Sequence, residues 1–174
     1  MAEGPGMGDQ SVGRGMLWAA SLGLLLGLTL LFSGLDRPDG TAVSGLDGSG
    51  RATLTIEAGR GGHYLADGTV NGSQVRFLVD TGATDVALSE SLARELGLEF
   101  GPRVTVMTAA GPAPAWMTRL DSVSLGGLER RNVRATITPG LGEEALLGMS
   151  FLKHFSIRQE GGNLIIASTG SAGA

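Results

Sequence analysis

The hydrophobic and polar positions divide the chain into an apolar run near the amino terminus and a larger region of strand-like alternation. The apolar run begins at Met16, ends at Leu35 and contains no charged residue. As a helix with about 1.5 Å rise per residue, it matches the roughly 30 Å hydrocarbon core of a bilayer. A cleaved signal peptide is the alternative, but its apolar region usually has about 7–15 residues. The pattern favours an uncleaved transmembrane helix over residues 16–35, after a short tail over residues 1–15.

Polar segments follow the apolar run and close the chain. Residues 36–51 are rich in Gly, Ser and Asp without apolar periodicity, which predicts a flexible linker. Residues 168–174 contain only Ser, Thr, Gly and Ala, which predicts a disordered tail. Arg14 and Arg37 flank the apolar run and nearly balance each other in the positive-inside count. Since such anchors commonly keep a short amino-terminal tail inside, we expect the carboxy-terminal domain outside.

Residues 52–167 have the pattern of one mostly antiparallel β domain with one or two short helices. Val75, Phe77 and Val79 recur at every second position and should share one sheet face. Asn71-Gly72 predicts a two-residue hairpin turn, because both central positions of a type I′ turn need positive φ. Residues 89–97 instead predict a helix, with a capping serine and a terminating glycine. Further strands are predicted at residues 53–56, 63–70, 103–108, 115–125, 132–138, 155–160 and 163–167.

The composition excludes several kinds of chemistry. The chain has 13 Lys and Arg against 17 Asp and Glu, a formal net charge of −4, so nothing in its charge points to nucleic acid as a partner. The absence of cysteine excludes disulfides and thiolate zinc sites. His63 and His154 lie in no recognisable triad or metal motif, and we interpret both as structural or surface residues. We interpret the short cluster of Arg130, Arg131 and Arg134 as a solvated strand face. Hydrolytic chemistry is therefore expected of carboxylates.

Asp80 is the strongest candidate for such chemistry. It follows two apolar residues of a predicted strand and precedes Thr81 and Gly82. A strand would hold the carboxylate rigidly, and the glycine would let the backbone turn tightly beside it. The threonine hydroxyl could lock the loop by a hydrogen bond. A plain strand followed by an Asp-Thr-Gly turn is the alternative, since a motif match alone is only a hypothesis.

Two further segments fit a site around this loop. Small residues and turn formers between two predicted strands could form a flap that closes over a substrate, or a plain surface hairpin. The flap candidates are Ala109, Ala110 and Gly111. A second segment, apolar and glycine-containing, precedes a predicted helical turn and would pack behind the Asp80 loop. It comprises Leu146, Leu147 and Gly148.

Together these motifs resemble the retropepsin-like aspartic proteases, most closely the membrane-anchored, single-domain bacterial members. The elements follow in the order of that family: transmembrane segment, linker, Asn-Gly hairpin, Phe-Leu-Val-Asp-Thr-Gly-Ala-Thr, short helix, flap-like hairpin and Leu-Leu-Gly-Met-Ser-Phe-Leu. The similarity covers the chain from about His63 to Ala167. Thr84 departs from many viral members, which have an aspartate at this position that supports an ion pair in the dimer.

The resemblance implies an all-β fold, a closed β-barrel, and a homodimer in which each subunit contributes one Asp80 to a catalytic dyad. It implies an aspartic endopeptidase that acts on polypeptide and needs neither a metal nor an organic cofactor. Active-site loop support would come from Thr81, Gly82, Ala83 and Thr84. Asp85 would contact the substrate backbone or solvent.

The resemblance also bears on location and on the alternative function. A single-pass protein of the bacterial inner membrane, with its carboxy-terminal domain on the periplasmic side, is expected. The alternative is a catalytically inactive module that keeps the fold for binding or dimerisation.

Overall fold

The computed structural model describes residues 40–108 and 111–169. The predicted amino-terminal tail and transmembrane helix, most of the predicted carboxy-terminal tail and two flap residues lie outside these ranges. Within them, no helix is long and apolar enough to cross a membrane.

The described residues form eleven strands, two short α-helices and one 3-10 turn, at Arg60–Gly62. The helices are α1 (Glu90–Glu95) and α2 (Met149–Leu152). The strands are β1 (Ala42–Leu46), β2 (Ala52–Glu57), β3 (Leu65–Val70), β4 (Ser73–Val79), β5 (Val86–Leu88), β6 (Arg103–Thr108), β7 (Gly111–Leu125), β8 (Leu128–Ile137), β9 (Ala145–Leu147), β10 (Phe155–Glu160) and β11 (Asn163–Ser168).

Six of the described strands close into a barrel, as the resemblance implied. They follow the order β3-β4-β9-β5-β8-β7, and β7 pairs back onto β3 to complete the ring. Strand β6 lies outside the ring and pairs with β7. Two parallel pairs, β4 with β9 and β5 with β8, bring distant segments of the chain together. The Asp80 loop joins β4 to β5, so these parallel pairs bring it next to the ends of β9 and β8.

Local signals in the sequence explain why these elements form. The turn between β3 and β4 has positive φ at Asn71 (51°) and Gly72 (86°), which is the conformation that an Asn-Gly hairpin requires. Helix α1 begins after Ser89, whose hydroxyl accepts a hydrogen bond from the Leu92 N–H at 3.3 Å. The chain leaves this helix through Gly97, which has a φ of 66°. The predictions of the hairpin and of the helix are confirmed.

One hydrophobic core occupies the barrel and extends under α2. Val75, Phe77 and Val79 are buried on one face of β4, as the alternation predicted. Phe77 and Phe151 are the largest fully buried side chains, and Phe151 comes from α2. Full burial of a side chain of this kind contributes about 1.5–3 kcal/mol. The core therefore fastens α2 to the barrel.

Strand β1 corrects the linker prediction for residues 36–51. Residues 42–46 pair with β2, from Ala42 opposite Ile56 to Leu46 opposite Ala52. Asp47 closes the turn: its carboxylate accepts hydrogen bonds from the Ser49 hydroxyl and the backbone N–H of Arg51, which hold its pKa well below the usual value. Every residue of β1 is exposed. Backbone pairing and a turn hold this strand, and apolar periodicity does not reveal it.

The close approach of β3 and β7 can be tested at Gly68. A Cβ at this position would overlap the Ser124 backbone oxygen and lie 2.9 Å from the Leu125 side chain. We expect Gly68→Ala to lower the free energy of unfolding by about 1–3 kcal/mol, because a backbone oxygen cannot move aside cheaply. Urea unfolding of the full chain measures this. Gly45→Ala is the control, since its nearest neighbour would be 3.7 Å away; equal destabilisation by both changes would contradict the expectation.

Candidate active site

Asp80 lies directly after β4, where the barrel fixes its backbone. The parallel pair of β4 and β9 runs from Phe77 opposite Ala145 to Val79 opposite Leu147. The Asp80 N–H continues this pairing and donates to the Leu147 carbonyl at 3.2 Å. The side chain of Asp80 is half-buried. A rigid strand therefore delivers this carboxylate, as the sequence predicted.

Residues 81–84 turn sharply around the carboxylate. The Gly82 N–H donates to Asp80 Oδ1 at 2.8 Å, and the Ala83 N–H donates to the Asp80 carbonyl at 3.2 Å. A Cβ on Gly82 would lie 3.2 Å from the same Oδ1, tighter than an ordinary van der Waals contact. Thr81 and Thr84 are exposed. The loop thus holds one carboxylate oxygen by a backbone donor at the surface of the barrel.

The start of α2 supports the loop from behind. The N–H groups of Met149 and Ser150 donate to the carbonyls of Ala83 and Thr84, at 2.8 and 2.9 Å. The first N–H groups of a helix have no partner within it, so they are available to the loop. A Cβ on Gly148 would overlap the Asp85 backbone oxygen, and glycine alone permits this approach. The structure therefore brings the predicted segment Leu146, Leu147 and Gly148 against the Asp80 loop.

Ser150 is a supporting residue that the sequence interpretation did not single out. Its hydroxyl accepts a hydrogen bond from the Val86 N–H at 2.9 Å and donates to the Arg134 carbonyl at 2.8 Å. One side chain thus ties the end of the loop to β8. Both partners of this hydroxyl are distant in sequence, so no local pattern indicates the role of Ser150.

Asp85 forms an ion pair, which differs from the predicted contact with substrate backbone or solvent. Arg134 Nε lies 2.7 Å from Asp85 Oδ1. The Asp85 side chain is only 14% exposed, against 49% for Arg134. The parallel register of β5 and β8, with Val86 opposite Ala135, places the two residues side by side. Arg134 is on a solvated strand face, as predicted, but it also neutralises a carboxylate of the loop.

The predicted flap is a hairpin in the described part of the chain. Strands β6 and β7 pair from Arg103 opposite Trp116 to Thr108 opposite Gly111. The Thr108 hydroxyl donates to the Gly111 carbonyl at 2.8 Å. Ala109 and Ala110 lie outside the described residues, and the function of the hairpin as a flap stays a prediction.

The chemistry available at this site is that of a carboxylate. In the part of the chain that the structure describes, no three His, Asp or Glu side chains lie together so as to hold a metal ion. A half-buried carboxylate on a rigid loop can exchange a proton with a reacting group, and such general acid–base catalysis typically contributes about 10²–10⁴-fold to a rate.

Comparison with known proteins identifies the family. Residues 66–154, from β3 past the end of α2, match the family model described as gag-polyprotein putative aspartyl protease. The chain belongs to the retropepsin-like aspartic proteases.

A solved structure supports this assignment to the retropepsin-like fold. The crystal structure of a retropepsin-like aspartic protease from Rickettsia conorii is 30% identical in sequence and has a TM-score of 0.58. The match covers 76% of this chain and 97% of that structure.

Two curated bacterial proteins are also similar to this retropepsin-like chain. An uncharacterised protein of Sinorhizobium is 37% identical over 133 residues, and an uncharacterised protein of Rickettsia prowazekii is 36% identical over 97 residues. The matches cover 74% and 54% of this chain, and 56% and 42% of the two relatives. The chain thus spans about half the length of the curated relatives that it matches.

The support of the retropepsin-like loop can be tested at Ser150. We expect Ser150→Ala to lower the free energy of unfolding by about 1–3 kcal/mol, because the Val86 N–H and the Arg134 carbonyl lose their partner. Urea unfolding of the full chain provides the measurement. Ser156→Ala, at an exposed position on β10, should change stability by less than about 0.5 kcal/mol. Equal stability of the Ser150 variant and the parent would show that this bridge does not hold the loop.

Proposed function

We propose that the chain is an aspartic endopeptidase whose site forms between two copies, each contributing Asp80. The observation that carries this proposal is the position of Asp80, on a rigid loop that presents a carboxylate at the barrel surface. The family and the fold support the same reaction.

The neighbouring carboxylate argues for a second copy. An aspartic protease needs two carboxylates that share one proton, and Asp85 is the other carboxylate next to the loop. Arg134 holds Asp85 Oδ1 at 2.7 Å, and most of the Asp85 side chain is covered. Asp85 is therefore committed to an ion pair. A second Asp80, related by a two-fold axis, supplies an equivalent partner in an isologous dimer.

The proposed dyad would act by general acid–base catalysis. Two carboxylates in close proximity do not both ionise easily, so the pair binds one proton and titrates as a unit. The ionised member removes a proton from a bound water, which attacks the scissile carbonyl carbon. The protonated member polarises the carbonyl oxygen and later protonates the departing amine. Side chains of the two subunits thus supply both proton transfers.

An extended polypeptide is the substrate class that suits this architecture. Strand β6 pairs only with β7 among the described strands, so its other edge is open. A peptide that adds a strand to an open edge gains backbone hydrogen bonds, which do not depend on its side chains. We propose that substrate binds between the Asp80 loops and the hairpin of β6 and β7.

The enzyme would act at a membrane. We propose that the segment from Met16 to Leu35 anchors the chain in the bacterial inner membrane, with the protease domain on the periplasmic side. The uncharged apolar run supports this proposal. In spheroplasts, an added protease that cannot cross the membrane should digest the domain; complete protection would overturn the proposed orientation.

Asp80→Asn tests the reaction directly. The purified full-length chain and this variant would each be incubated with a diverse peptide mixture from acidic to neutral pH, and the products read by mass spectrometry. We expect the variant to lose at least about a hundredfold in rate, because the dyad loses its acid–base function. Asp67→Asn, at a side chain that is 75% exposed, should leave the rate unchanged.

Mixing the parent with the Asp80→Asn chain tests the shared site. At equal amounts and full exchange, about a quarter of the dimers contain two intact subunits, so activity per parent chain should fall. Unchanged activity would contradict a dyad formed between subunits. Equal cleavage by the parent and the variant alone would indicate a contaminant. A parent that dimerises without cleaving any peptide would favour an inactive binding module.

A further inference from the structure

The Asp85–Arg134 pair changes the charge that the end of the active-site loop presents. Asp85 lies beneath Arg134: the carboxylate side chain is 14% exposed and the arginine side chain 49% exposed. The sequence places an acidic residue at the end of the loop, but the group that is exposed there is the guanidinium of Arg134, with its N–H donors.

Arg134 has binding capacity that the fold leaves unused. Its Nε donates to Asp85, whereas its two terminal amino groups have no partner among the residues that the structure describes. A guanidinium group offers five donors in a fixed plane and accepts nothing. Arg134 can therefore hold Asp85 through Nε and bind another carboxylate through its outer edge.

The surroundings of Arg134 provide room for such a group. Arg119 is directly opposite Arg134 in the pairing of β7 and β8, and its Nη1 donates to the Asn132 side chain at 2.9 Å. Both arginines line a cavity of about 560 Å³, together with Glu99 and Asp121. Like charges directly opposite each other on one sheet face are unfavourable, and an anion bound near them relieves the repulsion. Glu99 and Asp121 would repel an acidic group elsewhere in the cavity, so the exposed edge of Arg134 is its favoured contact.

We propose that Arg134 determines specificity by binding an acidic side chain of the substrate. This inference rests on the proposed function and names a preference within it. Asp85 is five residues after Asp80, so their Cα atoms are at most about 18 Å apart. An extended peptide rises about 3.3 Å per residue. The acidic residue therefore lies within about five residues of the scissile bond.

Peptide binding tests the proposal without requiring cleavage. The probes are sets of decapeptides that are identical except for Glu, Gln or Lys at one position, which is moved along the peptide. Full-length Asp80→Asn protein serves as the receptor, and fluorescence anisotropy measures Kd. We expect Glu at one position to bind about tenfold more tightly than Gln, as for a hydrogen bond to a charged group, and Lys to bind more weakly than Gln.

Matched arginine variants assign the preference to one residue. In the Asp80→Asn background, Arg134→Gln should bind the Glu and Gln peptides equally. Arg131→Gln should keep the tenfold difference, because Arg131 is on the same strand but does not line the cavity, and its side chain is 85% exposed and pairs with Glu129. Asp85→Asn should also keep the difference, since it leaves the Arg134 charge in place. This variant separates a direct contact from a general disturbance of the loop.

The outcomes separate this inference from the proposed function. Two results would overturn the inference, whether or not the chain cleaves peptides. The first is that the Asp80→Asn receptor binds Glu and Gln peptides equally at every position. The second is that a tenfold preference for Glu survives Arg134→Gln. Cleavage by the wild-type chain without any Glu preference would retain the protease and reject Arg134. If Arg134→Gln abolishes the preference for Glu but the wild-type chain cleaves no peptide, the acidic-peptide site is retained and the endopeptidase is rejected.

Discussion

The candidate site depends on the hydrogen bonds between the Asp80 loop and the segment that joins β9 to α2. Leu147 accepts from the Asp80 N–H, and the first two N–H groups of α2 donate to the loop carbonyls. Gly148 makes this approach possible because any side chain there would overlap the Asp85 backbone oxygen. The donors at the start of a helix have no partner within it. The helix therefore supports the loop without giving up any of its own bonds.

The closed barrel makes this support rigid. Strands β4 and β9 are parallel neighbours, although Ala145 comes 68 residues after its partner Phe77 along the chain. The pairing of β3 with β7 completes the ring, so neither strand can shift without disturbing its neighbours. Phe151 of α2 is fully buried in the same core. A catalytic group must be held within a fraction of an ångström of its productive position, and a packed ring of strands meets that need better than a free loop.

Local patterns predicted most of the strands, the turn at Asn71 and the helix capped by Ser89, because each reflects a preference of a few adjacent residues. The position of Asp80 at the end of a strand was also predictable, since an apolar strand followed by Asp-Thr-Gly is a local signal. Strand β1 was missed because all its residues are exposed and a turn at Asp47 holds it. The partnership of Asp85 with Arg134 was missed for another reason. It follows from the parallel register of β5 and β8, and no pattern within either segment encodes that register.

The Asp85–Arg134 pair also bears on how a dyad could function in this fold. A dyad operates while its two carboxylates share one proton, and another unpaired anion close by would favour a second proton on the pair. Asp85 is only five residues after Asp80, but Arg134 contacts it at 2.7 Å and offsets its charge. The ion pair therefore neutralises Asp85 but not Asp80, although the two carboxylates are close in sequence. In the proposed dimer, Asp80 would exchange a proton with its counterpart, while Asp85 is held in the ion pair with Arg134.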